Sequence, residues 1–161
     1  MGDEHRAGPA PGSATHLHRF EIHKRFSARL QRTAGISEVR SEPSAFRPTK
    51  LRASIDGTEF GVDCPEGRLE VEWRPRTGSE DQFRVQFTPA DEPWSCGWHQ
   101  DETHPELGTC HFQVDYPDRK DSERAGFEFD DELPMAVLET CLDALREHGS
   151  KLETILGRVS T

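Results

Sequence analysis

With 161 residues, the chain is long enough for one domain with an ordinary core and too short for two. Only 32% of residues are hydrophobic and 31% are charged, and 30 acidic residues against 20 basic ones leave a formal charge of -10. That balance repels nucleic acid on average and excludes a uniformly basic coating protein.

No stretch approaches the length of a membrane span, so no membrane partner is expected. The opening Met1-Gly2-Asp3-Glu4-His5-Arg6 lacks the apolar core of a secretion signal, and Arg6 stands where a myristoylation motif takes Ser or Thr. Cys64, Cys96, Cys110 and Cys141 form no Cys-x-x-Cys pair. Together these features predict a cytoplasmic protein with reduced thiols. The only lysines are Lys24, Lys50, Lys120 and Lys151, the other basic residues being arginine. An acidic, lysine-poor surface resembles the style of halophilic proteins that live in concentrated salt.

Residues 1–16, with Gly8-Pro9-Ala10-Pro11-Gly12-Ser13, contain little to bury and are expected to form a disordered tail before a single domain over 17–161. Between Arg19 and Arg52 the charge reverses locally to +6, leaving -16 elsewhere. Lys24, Arg25, Arg29 and Arg32 in this segment are candidates for nucleic-acid contact, although such a patch can equally neutralise its own fold or meet an acidic partner. Leu17, Phe20, Phe26 and Leu30 recur at mostly helical intervals up to Gln31, with a strand over Arg19–Phe26 as the rival.

After a connector punctuated by Pro43 and Pro48, the period becomes two. Leu51–Ile55 and Glu59–Val62 flank Asp56-Gly57, which suits a type I′ hairpin turn. Leu69, Val71 and Trp73 alternate with charged residues over Arg68–Arg74, and Phe83, Val85 and Phe87 do so over Gln82–Thr88. Two further strands follow, over Trp94–His99 and Thr109–Tyr116, and then an acidic linker. A final helix is expected, with Asp130 or Asp131 capping it, Pro134 in its first turn, and a stripe of Leu138, Cys141, Leu142 and Leu145 that stops at Gly149. Ser150–Leu156 can add a short helix. The fold class is therefore α+β: an antiparallel sheet of about five or six strands with an N-terminal helix and one or two C-terminal helices on its apolar face.

The same alternation locates the chemistry. In successive strands Trp94, Cys96 and Trp98 share one side, as do Cys110, Phe112, Val114 and Tyr116. His99 and His111 therefore point to the opposite, polar side, with Asp101 and His104 in the loop between them. Three readings compete. Histidines can act as general acid and base on a phosphodiester, with Arg84 on the neighbouring strand stabilising charge, and no metal or cofactor is then needed. His99, Asp101, His104 and His111 can instead ligate a metal. The histidines can also be incidental to a non-enzymatic protein-interaction module.

Trp98, Asp101, His104-Pro105-Glu106-Leu107, Thr109 and His111 resemble the central motif of the TumE-type toxin family, in which a Trp/Tyr-Asp-Asn element precedes His-Pro-x-Leu and a His-rich triplet. Here Glu102 replaces the Asn, and the triplet is His111-Phe112-Gln113. The resemblance implies one member of a toxin and antitoxin pair, with an antitoxin-like protein partner. Action on RNA follows from the histidines rather than from the motif.

Overall fold

A computed structural model describes residues 11–62 and 64–157; residues 1–10 of the tail expected over 1–16 lie outside them. The first helix, α1 (Pro11–Gln31), starts before Leu17 and takes the place of the rival strand. Proline is well tolerated at its first position, where the missing N–H has no partner in any case. Ile22, Phe26 and Leu30 stand four residues apart on one side and are all buried, whereas Leu17 is 60% exposed. The stripe that docks the helix thus runs through Ile22 rather than Leu17.

Seven strands follow: β1 (Ile36–Glu42), β2 (Lys50–Ile55), β3 (Gly67–Arg74), β4 (Gln82–Pro89), β5 (Ser95–Gln100), β6 (His111–Asp115) and β7 (Glu123–Gly126). They lie in chain order in one sheet, each antiparallel to the next. The expected five or six strands thus become seven. β1 came from what reads as connector, and β7 from what reads as linker. Two helices close the described chain, α2 (Pro134–His148) and α3 (Leu152–Ile155).

The expected hairpin at Asp56-Gly57 does not form. A type I′ turn needs positive φ at both central residues, and Asp56 has φ -82°. Its carboxylate instead accepts the Thr58 N–H at 3.1 Å and starts a single 3₁₀ turn over Gly57–Phe60, closed by Gly61 at φ 68°. Gly57 is required for room: a Cβ there would lie 2.3 Å from the Cys64 carbonyl oxygen. Phe60 and Val62 fold into the core, and β2 pairs with β3.

One apolar layer joins these elements. Leu51, Ala53 and Ile55 of β2, Leu69, Val71 and Trp73 of β3, Phe83, Val85 and Phe87 of β4, Cys96 and Trp98 of β5, and Phe112 and Val114 of β6 are all buried. They meet the stripe of α1 and the Val137, Leu138, Cys141, Leu142 and Leu145 face of α2 in a single cluster. Phe127 and Phe129, between β7 and α2, close its margin edge-on against Trp98 and Phe83. α2 begins without a side-chain cap; Leu133 holds the cap position, and Asp131 accepts the Leu133 N–H at 2.9 Å. The four cysteines are buried and unpaired.

His23, fully buried on α1, completes the layer in a way that its place in the sequence does not suggest. Its Nδ1–H donates to the Arg19 carbonyl at 2.8 Å, and its Nε2 accepts the Trp73 N–H at 3.4 Å. The register of β2 on β3 ends at Leu51 and Val71, so the imidazole takes up the Trp73 donor that no β2 residue reaches. Burial holds its pKa below the ordinary value. Phe26, one turn further along α1, meets Trp73 edge-on at 6.0 Å. Phe26→Ala should cost about 3–5 kcal/mol in urea denaturation with an unchanged m-value; a loss under about 1 kcal/mol would show that α1 does not seal the core.

Candidate functional site

The face of the sheet turned away from α1 and α2 is polar, and its register builds the site. Glu72 pairs with Arg84, Arg84 with His99, and His99 with His111, so these four residues form one row across β3, β4, β5 and β6. In the adjacent row Arg52 pairs with Glu70, Glu70 with Gln86, Gln86 with Gly97, Gly97 with Gln113, and Gln113 with Arg124. Neighbouring strands lie about 4.8 Å apart, which brings side chains of one row into contact. The His99 and His111 rings meet edge-to-face with centroids 5.4 Å apart.

The loop after β5 adds the third imidazole. Asp101 turns the chain by accepting both the N–H and the hydroxyl of Thr103, and Pro105–Leu107 forms a 3₁₀ turn that ends at Gly108, where φ is 94°. His104, at the start of this turn, lays its ring edge-on against His111 at 5.1 Å and approaches Glu106 through Nδ1 at 3.1 Å. His99, His111 and His104 thus form a continuous chain of rings on the polar face, as strand alternation predicts. They differ in depth. His111 is only 2% exposed, whereas 28% of the His104 side chain is exposed.

Two glutamines orient the inner rings. His99 Nε2 is 2.9 Å from Gln86 Oε1. Gly97 makes that approach possible, since a Cβ there would stand 2.4 Å from the same oxygen. His111 Nε2 is 3.2 Å from Gln113 Oε1. The flip state of Gln113 follows from its other partners: Arg124 Nε donates to Oε1 at 2.9 Å, and the amide nitrogen donates to Asp115 at 2.7 Å. Arginine has only donors and a carboxylate only acceptors, so His111 must donate from Nε2 and keep its lone pair on Nδ1.

Burial, then the Arg84 and His111 charges, lower the His99 pKa to about 4. Burial also lowers His111, with His104 and Arg124 adding to the effect and Gln113 and Asp101 opposing it. Both inner rings are therefore neutral at pH 7. Asp101 is itself pulled up by burial, but the two bonds from Thr103 outweigh this and leave it below its ordinary value.

Of the residues expected to act, the fold brings together His99, His104 and His111, with Asp101 and Arg84 beside them. Asp101 acts on the imidazoles only through its charge, its hydrogen bonds going to Thr103. Arg84 is exposed and makes no hydrogen bond or ion pair among the described residues. Among the described residues no three His, Cys, Asp or Glu side chains are placed to hold a metal ion. Lys24, Arg25 and Arg29 belong to α1 and Arg32 to the turn after it, so they lie across the sheet from the histidines. Arg29 is engaged with Glu139 of α2 at 2.5 Å. Gln86, Gly97 and Arg124 are additions that sequence reasoning missed; an outward strand position was the only signal for Gln86 and Gly97, and Arg124, in what reads as linker, had none.

A shallow hollow of about 190 Å³ adjoins the site, lined by Glu72, Arg84, Gln100 and Asp101 among others. A larger one of about 840 Å³ lies at the other end of the sheet, around Ile36, Ser54, Arg68 and Pro89, and shares no residue with the imidazoles. No family model, curated protein or solved structure matches the chain.

Histidines held neutral by burial make stability depend on acid. An unfolded histidine titrates near 6.5, and His99 in the fold titrates near 4. The contribution is therefore complete above about pH 6.5 and is lost as pH falls toward 4, because the unfolded chain takes the proton first. His99 alone should account for up to about 3 kcal/mol of this loss. His99→Asn should flatten the fall of the melting temperature across that window; an unchanged slope would show that His99 is not held neutral.

Proposed function

We propose that this chain is the toxin-like member of a two-protein pair and acts on RNA at the histidine cluster without a metal. The observation that supports this reading is the contact of three imidazoles on the polar face, with an unpaired arginine in the same row. The depth of the rings divides the labour. His104, on the loop and with 28% of its side chain exposed, is the group assigned to touch a substrate. His111 and, behind it, His99 act as positioning residues that keep the His104 ring in place.

In the proposed reaction, His104 takes the proton from a ribose 2′-hydroxyl. The freed oxygen attacks the adjacent phosphorus, the bond to the 5′ oxygen breaks, and His104 returns the proton to that leaving oxygen. A cyclic phosphate and a free 5′-hydroxyl result, with no net change in protons. Arg84 supplies charge to the pentavalent phosphorane, for which a guanidinium is suited in both charge and geometry. An antitoxin-like protein is the expected partner, and the cytoplasm the expected setting; no helix among the described residues is long and apolar enough to cross a membrane.

One observation favours the alternative, a non-enzymatic interaction module: the Nε2 atoms of both inner imidazoles are already hydrogen-bonded within the fold. A single substitution separates the two readings. Because His111 is buried, replacing it would disturb the fold, so His104 is the residue to change. His104→Gln should reduce cleavage of a single-stranded RNA, and arrest of growth on expression, by about 100-fold or more, with the melting temperature unmoved and the wild-type rate unaffected by EDTA. Equal cleavage by wild type and variant would overturn the catalytic reading.

A further inference from the structure

If RNA is cut at His104, the groups that hold the rest of the strand must lie on the same side of the sheet. Lys24, Arg25 and Arg29 fail that condition, because α1 covers the apolar face; Arg19 reaches round to Glu72, with which it is already paired. The polar face, in contrast, carries seven outward basic residues (Arg40, Lys50, Arg52, Arg68, Arg74, Arg84 and Arg124) against five outward carboxylates (Glu38, Glu42, Glu70, Glu72 and Asp115). On a chain with a formal charge of -10, this face is locally positive.

The carboxylates within it are already engaged. Glu70 is shared by Lys50, Arg52 and Arg68, and Glu72 by Arg19 and Arg74. Two guanidiniums are left over. Arg40 sits directly opposite Arg52 across β1 and β2, where like charges repel, and both Arg40 and Arg84 are without a hydrogen bond or ion pair among the described residues. Arg40 held against like charge, and Arg84 exposed beside a Glu72 already taken up by Arg19 and Arg74, suit a partner that brings negative charge.

The hairpin between β1 and β2 supplies a second kind of group. Phe46 is 85% exposed, beside exposed Arg47. The loop is tied to the histidine row: Arg19 donates to the Thr49 carbonyl at 2.7 Å and also pairs with Glu72, the residue that starts the row leading through Arg84 to His99 and His111. An exposed aromatic at one end, free guanidiniums between and imidazoles at the other end is the combination that holds a single strand, with a base stacked on the ring and phosphates on the cations.

The geometry points to a single-stranded RNA path that crosses the polar face from Phe46 over Arg40 and Arg84 to His104, with Lys24 and Arg25 of α1 taking no part. This rests on the proposed action at the histidine cluster, but it assigns binding rather than chemistry.

The test is fluorescence anisotropy of a short labelled RNA on the full chain carrying His104→Gln, so that the probe stays intact. Phe46→Ala should weaken binding about tenfold. Arg40→Gln and Arg84→Gln should each weaken it and each reduce the slope of log affinity against log salt by about 0.7. Lys24→Gln with Arg25→Gln should change neither. Binding that depends on the polar face, in a wild-type chain that does not cleave, would support the path and remove the nuclease. Cleavage by a chain whose binding needs Lys24 and Arg25, and not Phe46, Arg40 and Arg84, would overturn the path and leave the nuclease. Failure of the RNA to bind at low salt would overturn the path outright.

Discussion

Each strand of this sheet has one side that must leave water and one that must stay in it, and α1 and α2 can cover only the first. With so small a share of hydrophobic residues, a second apolar layer is beyond the chain's means. The large side chains are therefore spent on one side, where Trp73, Phe83, Trp98 and Phe112 stack beneath the helices. Everything on the other side is polar by necessity, and strand alternation, once fixed by that packing, decides which polar residues meet. A one-residue slip of β5 would exchange His99 for Trp98 and expose an indole to water. The position of the imidazoles is thus enforced by the core beneath them.

That enforcement has a consequence for their chemistry. The rings sit on an outward face, yet His111 is enclosed by its neighbours, Gln113 from its own strand and His104 from the loop. A neutral imidazole is what such an environment tolerates, since a charged one would lose hydration and face Arg84 or Arg124. The glutamines fit this requirement: an amide oxygen orients the ring without the negative charge that would draw a proton onto it. His23 follows the same logic inside the core, with a carbonyl on one nitrogen and an N–H on the other.

Much of this was legible in the alternation alone. Over β3 to β6 the apolar residues fall at every second position, and from that the antiparallel sheet, its buried side and the shared side of His99 and His111 all follow. The α2 stripe and its end at Gly149 were equally open to reading. β1 was hidden because Glu38 takes a positive φ of 52° and shifts the register between Ser37 and Arg40, so that Ile36 and Val39 break the period of two. β7 was hidden because Glu123-Arg124-Ala125-Gly126 contains no large apolar residue. The Asp56-Gly57 pair misled because the same side-chain oxygen that suits a hairpin also caps a 3₁₀ turn. Burial of His111 could not be read from its own strand, because residues elsewhere in the chain produce it.

The account stands on an imidazole that faces outward, yet is enclosed and locked in one tautomer. Long-range ¹H–¹⁵N NMR on the full chain reads that state directly. For His111 the account predicts the Nε2–H form, with a midpoint below the 6.5 of a free histidine. An Nδ1–H form, or a midpoint at or above that value, would contradict it and dissolve the site.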